Sequence, residues 1–357
     1  MSDFEEYKKQ NEPEKYKKAE NWAVAIGLQQ VDGLTPSKYL IDIAKDNIEG
    51  KISIDEANEE ISRYYKKNPA KTLKEHSEKE ADEVSGRIAK LLSTHTFSFS
   101  PAELISIHKF LFSGILDDKI AGKIRDYDIT KDEPVLNGDT VIYGRSDSIM
   151  ETLDYDFDKE KRFKYTGLSK KEKVEHLVKF ISGVWQIHPF GEGNTRATAV
   201  FTIKYLYTLG FETNNDMFEQ YSKYFRNALV RANYQNLDKD IPYTMEYLNK
   251  FFGNLLLGEN NILDNRDMQI FSSSEKSSEK SSEKSSEKSS EKTTSSDTKS
   301  KILEEIKRNP TISAKQLSSI LDITSRAVEK NLAQLREQNK IKRIGPDKGG
   351  HWKVVKE

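Results

Sequence analysis

His188-Pro-Phe-Gly-Glu-Gly-Asn-Thr-Arg196 joins two amphipathic segments, each about four turns long if helical. Upstream, from about Lys171 to Ile187, Val174, Leu177, Val178, Ile181, Val184 and Trp185 recur at three and four residues, the spacing of a buried helical stripe. Pro189 ends that helix, because the residue before a proline is pushed out of the helical region. Downstream, a second helix starts near Asn194, carries Ala197, Val200, Phe201, Ile203, Leu206 and Tyr207 on one face, and stops at Gly210. The nonapeptide is therefore a short loop pinned between two helices.

Its residue types suit the gripping of a nucleotide. The first backbone N–H groups of the second helix have no partner within the helix, and with the helix dipole they form an anion site. Gly191 and Gly193 let a phosphate come close to the backbone, and Arg196 adds a guanidinium able to hold phosphate oxygens in bidentate fashion. Glu192 offers a hard oxygen to Mg²⁺, an ion held by one or two carboxylates together with the phosphates. At the rim, His188 titrates in the range needed to take a proton from a hydroxyl. Phe190 reads as a plug that anchors the loop in the core. Any of these residues alone is more often structural; the joint spacing carries the inference.

The nonapeptide resembles the core loop of Fic-domain proteins, His-x-Phe-x-(Asp/Glu)-Gly-Asn-(Gly/Lys/Thr)-Arg. The resemblance extends over about residues 20–261, through Phe97-Ser-Phe-Ser-Pro101, Asn137-Gly-Asp-Thr-Val-Ile-Tyr143 and Phe225-Arg-Asn-Ala-Leu-Val-Arg231. It implies a protein adenylyltransferase that moves AMP from Mg²⁺-ATP to a Ser, Thr or Tyr hydroxyl of a target protein or of itself. His188 would be the general base, Glu192 the Mg²⁺ ligand, and Phe190, Gly191, Gly193, Asn194, Thr195 and Arg196 the nucleotide-binding residues. The chain departs from the fullest family pattern at Thr195, where many members have Gly, and at Ala199, where a second arginine is expected. A kinase-like relative has Lys at the Thr195 position, so γ-phosphate transfer is disfavoured but stays open.

Around Asn137-Gly138, residues 134–143 place two apolar runs, the strongest short hairpin signal in a sequence. The hairpin resembles the Fic flap, which holds a target segment by strand addition. Val141, Ile142 and Tyr143 are the candidates for target contact. Nearer the N-terminus, residues 21–31 form an imperfect apolar stripe broken by Asp32-Gly33-Leu-Thr-Pro36, and Ser53 with Glu56 reads as a capping box. Together they resemble the antitoxin-like module that inhibits Fic sites through a glutamate in (Ser/Thr)-x-x-x-Glu-Gly. Here Leu28 and Asp32-Gly33 stand at the matching positions, so Asp32 is the candidate inhibitory residue, one methylene shorter and facing a missing second arginine. The alternatives are a helix that only covers the core and a weaker brake through Asp32.

The whole chain has 357 residues, is 35% hydrophobic and contains no cysteine, which excludes disulfides, cysteine nucleophiles and cysteine-based metal sites. A mean hydropathy of −0.76 and the lack of an apolar run of membrane length point to a cytoplasmic protein with no membrane partner. Residues 273–292 are five copies of Ser-Ser-Glu-Lys, with no apolar side chain to offset the entropy of ordering, so a disordered linker is expected.

Beyond it, three short helical patterns (301–308, 313–321, 325–339) and two strands (341–344, 352–355) give the order of a winged helix-turn-helix. Residues 299–357 hold 14 Lys and Arg against 7 Asp and Glu, a surplus of 7 that leaves the rest of the chain at −8. DNA is thus the expected partner, with Ser325, Arg326, Lys330 and Lys348 as contacts, although winged helices also dock proteins.

The expected architecture is mainly α. It comprises an N-terminal helical region (1–65), a Fic-type helical core with a small β-hairpin flap (66–265), the linker (266–298) and the winged helix-turn-helix (299–357). A homodimer is compatible with the helical surface, though nothing in the sequence specifies one. The functional alternative is a DNA-binding regulator whose Fic domain senses a nucleotide or is inactive.

Overall fold

A computed structural model describes residues 4–94, 96–211 and 216–270, and part of the stretch from 302 to 354. By its internal contacts the chain divides into two compact units between Glu279 and Lys280, inside the Ser-Ser-Glu-Lys repeat. The repeat itself lies outside the described residues.

The first unit is helical: α1 (Glu5–Lys8), α2 (Pro13–Gly27), α3 (Lys38–Ile48), α4 (Ile54–Lys67), α5 (Leu73–Ser93), α6 (Pro101–Phe112), α7 (Ile149–Arg162), α8 (Lys170–Ile187), α9 (Asn194–Thr208), α10 (Asp216–Ala232) and α11 (Glu246–Leu257). Local chemistry sets several of these boundaries. Capping boxes at Ser53/Glu56, Thr72/Glu75 and Ser169/Glu172 open α4, α5 and α8, each pair satisfying backbone N–H groups reciprocally. All six stripe residues expected on α8 are buried.

Helix α9 differs from its one-sided reading. From Asn194 to Leu206 every residue is buried, polar ones included. It is the central helix of the unit, packed against α5, α6 and α8, so no face was left to be polar. Its Lys204 buries a charge by donating to the carbonyls of Leu91 and Thr94 at the end of α5, each at 2.9 Å.

The N-terminal region packs into the same core. Helix α2 lies against α5 and α10, and continues as a 3-10 turn (Leu28–Asp32) closed by Gly33 in the left-handed region, φ 70°. Gly27 allows this approach: a Cβ there would lie 2.5 Å from the Glu219 backbone.

In the second unit, helical backbone is described at residues between Ile302 and Arg336, and β1 (Ile341–Ile344) pairs antiparallel with β2 (His351–Val354). The second strand starts one residue earlier than the sequence suggested, because His351 pairs with Ile344. Ile302, Ile306, Ile312, Leu317, Val328, Leu332 and Leu335 pack with Ile341 and Trp352 in one core.

The Gly27 contact yields a stability test. Alanine is the better helix former, but its methyl would meet backbone that cannot swing aside. Gly27→Ala should therefore destabilise the first unit by about 1–3 kcal/mol, the ordinary cost of overpacking, measured as a lower urea midpoint.

Candidate active site

Helix α8 ends where Pro189 forbids its continuation, and His188 takes a left-handed conformation, φ 51° and ψ 60°, rare for a residue with a side chain. The turn folds the imidazole back on its own helix. Its Nδ1 lies 3.1 Å from the Trp185 carbonyl, so Nδ1 carries the proton and Nε2 the lone pair. That Nε2 is buried and has no hydrogen-bond partner among the described residues. The ring sits beneath Tyr143, with centroids 4.3 Å apart, and edge-on to Trp185. His188 is thus 3% exposed rather than at a rim, which corrects the sequence expectation. Burial pushes its pKa well below the usual histidine value, and the charges of Lys131, Arg125 and Arg226 push the same way.

Arg125 holds this turn together. Its Nε donates to the His188 carbonyl at 2.8 Å, Nη1 to Tyr127 at 2.7 Å, and Nη2 to Ile187 at 3.2 Å and to Gly144. Its own N–H donates to the Pro189 carbonyl at 2.9 Å. No sequence signal marked Arg125, since all these acceptors are backbone.

Most of the loop's expected nucleotide-binding side chains are engaged inside the protein, one within the loop and the others with neighbouring elements. Asn194 clasps Phe190, accepting from its N–H at 3.0 Å and donating to its carbonyl at 2.7 Å. Thr195 accepts from the Trp185 indole at 3.0 Å. The buried Phe190 ring stacks on His108 at 3.7 Å. Gly193, φ 75°, starts α9 against the edge of Phe112, where a Cβ would lie 2.5 Å from that ring. At Gly191 a Cβ would lie 2.5 Å from the Tyr127 hydroxyl. Both glycines thus make room for neighbouring side chains, Phe112 at Gly193 and Tyr127 at Gly191. The Glu192 side chain is exposed, with no bonded partner among the described residues.

Arg196 is 0% exposed, with hydrogen bonds from both Nη atoms and only an ion-pair contact, without hydrogen-bond geometry, at Nε. Its Nε pairs with Asp32 at 2.8 Å, Nη2 with Glu80 at 2.7 Å, and Nη1 donates to the Gln29 amide oxygen at 3.1 Å. Two carboxylates therefore face one guanidinium. Asp32 does meet an arginine, the first one of the motif. Ala199, at the position of the second, is buried in the core. Glu80 and Gln29 were not singled out in the sequence.

The flap also departs from expectation. Residues 134–136 form a 3-10 turn, Asn137 and Gly138 take positive φ as a tight turn requires, but no strand ladder follows. One backbone bond closes the turn, from the Glu133 N–H to the Asp139 carbonyl at 3.0 Å; the Asp139 carboxylate accepts from the Tyr234 hydroxyl at 2.7 Å, and Gln186 donates to the Ile142 carbonyl at 3.1 Å. Of the three target-contact candidates, Val141 and Tyr143 are buried and Ile142 is 79% exposed. The Tyr143 hydroxyl donates to Glu133, which pairs with Arg226 at 2.8 Å. Lys131 was also missed. It feels the carboxylates of Asp32, Glu133 and Glu192, while burial holds its pKa below the usual lysine value.

Ser325, Arg326, Lys330 and Lys348 lie outside the described residues. On the hairpin of the second unit, Lys342 and Lys353 are directly paired across the strands and both exposed.

The buried imidazoles set a pH dependence. His108 is 0% exposed and its pKa is pulled down to about 4 by burial, with the Arg196 charge adding. A histidine folded in its neutral form contributes stability that is complete above its unfolded pKa, near 6.5, and that is lost as pH falls towards the folded value. Between pH ~6.5 and ~4 His108 alone should cost on the order of 3 kcal/mol, with His188 adding in the same direction. Urea midpoints of the full chain across that interval should fall, and the fall should be shallower in His108→Leu.

Residues 98–206 match the Fic/DOC family, and residues 295–342 match winged helix-turn-helix DNA-binding domains. No match was found among curated proteins. Among solved structures, the chain is similar to a Fic family protein from Desulfovibrio desulfuricans G20, at 13% identity over 95% of this chain and 88% of that one, TM-score 0.43. It is also similar to the N-terminal FIC domain of the Bep8 VirB-translocated effector from Bartonella sp. 1-1C, at 19% identity over 53% of this chain and 88% of that one, TM-score 0.41. A third similarity is to the N-terminal Fic domain of a VirB-translocated Bep effector from Bartonella sp. AR 15-3, at 20% identity over 53% of this chain and 85% of that one, TM-score 0.41. The helical unit built around His188 and α9 thus contains a Fic/DOC-family domain, and a winged helix-turn-helix domain of the DNA-binding type follows it in the same chain.

Proposed function

We propose that the chain is a protein adenylyltransferase of the cytoplasm that moves AMP from Mg²⁺-ATP to a Ser, Thr or Tyr hydroxyl of a target protein or of itself. The observation that carries this reading is the buried, unpartnered Nε2 of His188, a lone pair fixed in place by the Nδ1 contact to Trp185. A structural histidine would use both nitrogens; a base needs one left over.

The neighbouring groups fit a metal-bound polyphosphate. Among the described residues no cluster of three or more His, Asp or Glu could hold a metal unaided, while the exposed Glu192 suits an ion that takes one carboxylate and completes its shell with phosphates and water. The N-terminus of α9 supplies N–H donors, and Lys131 supplies a cation near Glu192 and His188. When bound, Mg²⁺-ATP provides the adenylyl group and spreads charge over the metal. His188 Nε2 takes the target's hydroxyl proton, that oxygen bonds to the α-phosphorus, and pyrophosphate leaves. Already neutral at physiological pH, the base needs no prior deprotonation.

In the conformation described, the reading includes a brake. Arg196 cannot meet phosphate while Asp32 and Glu80 hold it, and Tyr143 covers His188. Release of the turn that carries Gln29 and Asp32 would free Nε and Nη1, while Glu80 keeps Nη2. A second reading, a DNA-binding regulator that binds a nucleotide without transferring it, is favoured by the burial of Ala199, which leaves no second arginine for the terminal phosphate. In either reading the winged helix binds DNA through Ser325, Arg326, Lys330 and Lys348, with the exposed Lys342 and Lys353 of the hairpin as further cations.

Incubation with ATP labelled at the α- or γ-phosphate separates these readings. Transfer should retain the α label, vanish in His188→Ala and rise roughly tenfold in Asp32→Ala, within the usual range of coupling between sites. Retained γ label would indicate a kinase, and no label in any variant a sensor. For the second unit, a mobility shift on duplex DNA should show affinity falling steeply between 50 and 200 mM salt, as phosphate contact requires, at about those concentrations. Salt-independent binding would argue for a protein partner instead.

A further inference from the structure

His108 belongs to α6, 80 residues before the loop, yet it touches that loop at two points. Its ring lies flat on Phe190, with centroids 3.7 Å apart and planes 13° from parallel. Its Nε2 lies 2.9 Å from the Glu192 carbonyl, and its Nδ1 accepts the Gly122 N–H, also at 2.9 Å. The last contact decides the tautomer. A nitrogen that accepts cannot carry the proton, so the proton is on Nε2 and is donated to Glu192. Both nitrogens are thus committed to backbone groups, and the stacked ring cannot rotate without losing all three contacts.

We propose that His108 is a positioning residue for the loop, setting the Glu192–Gly193 peptide so that its N–H and the Glu192 carboxylate face an incoming polyphosphate. The peptide is planar and trans, so its C=O and N–H point in opposite directions. Anchoring the carbonyl on the imidazole turns the Gly193 N–H away from α6. Gly193 then takes φ 75° and starts α9 with Phe112 packed behind it. Without the anchor this peptide could flip, because glycine accepts either sign of φ. A flip would aim a carbonyl oxygen where an N–H donor is needed. The role is one of orientation, since neither partner of the ring is charged.

The proposal deepens the adenylyltransferase reading and rests on it for its functional half; its structural half can be read separately. Three full-length chains serve: Asp32→Ala as the reference, and the same chain with His108→Phe or His108→Gln. Phenylalanine keeps the stacking and removes the donor, whereas the glutamine amide can restore a donor near the Nε2 position. In ¹H–¹⁵N spectra without nucleotide, the Gly193 amide should move in His108→Phe and return towards its reference position in His108→Gln. With labelled ATP, kcat should fall at least tenfold in His108→Phe with less than a threefold change in KM, and recover in part with glutamine. Melting temperatures taken alongside identify a variant that has simply unfolded, and then the glutamine chain carries the comparison.

A Gly193 amide indifferent to both substitutions overturns the proposal, as does a glutamine chain no better than the phenylalanine one. If no chain transfers label, the adenylyltransferase reading fails on its own, and the Gly193 amide still decides whether His108 sets the peptide.

Discussion

The Arg125 guanidinium is the contact on which the site depends. It is 4% exposed, and the carboxylate nearest to it, Asp128, is 3.9 Å away and itself exposed. Its charge is balanced instead by carbonyl oxygens, including those of Ile187 and His188 at the C-terminus of α8, where the helix dipole favours a cation. Hydrogen bonds from a charged donor are each worth about 1.5–3 kcal/mol, more than enough to offset the roughly 1–2 kcal/mol of the left-handed His188 backbone. The same guanidinium reaches Tyr127 and Gly144, so the base of the flap and the turn that carries the imidazole are one assembly.

Much of this was legible because it is local. Ser53 and Glu56 cap α4, Pro189 ends α8, and Asn194 opens α9, each through chemistry within a few residues. Phe190 was rightly read as a plug. What escaped the sequence is long-range. Arg125 binds backbone, which has no sequence signature, and Glu80 reaches Arg196 across 116 residues. Asn137-Gly138 did make its turn, with the Glu133 N–H donating to the Asp139 carbonyl across it, but the pairing does not continue into strands, and farther along the Ile142 carbonyl is taken by Gln186 of α8. Asp32 was weighed against an arginine that is absent, when the arginine it meets lies three residues earlier in the motif.

Electrostatics gives the site its character. Lys131, Arg125 and Arg226 all act on His188, and each disfavours the imidazolium. Glu133 is buried between Tyr143 and Arg226, so the tyrosine that covers the base is itself held by a carboxylate. The resulting environment holds an imidazole neutral in a cation-rich setting, a combination that suits anionic ligands and neutral nucleophiles together.

Both ends of α9 are tied to one neighbour. Arg196 in its first turn grips Glu80 of α5, and Lys204 farther along grips the carbonyls where α5 ends. Eight residues of helix, about 12 Å, separate the two ties, so α5 and α9 act as beams laid side by side and bolted twice. Such a truss resists sliding and hinging alike. Any movement that admits a ligand to Arg196 must therefore be made by the thin strap of Leu28–Asp32 and not by the beams, which confines the cost of opening to a single turn of backbone.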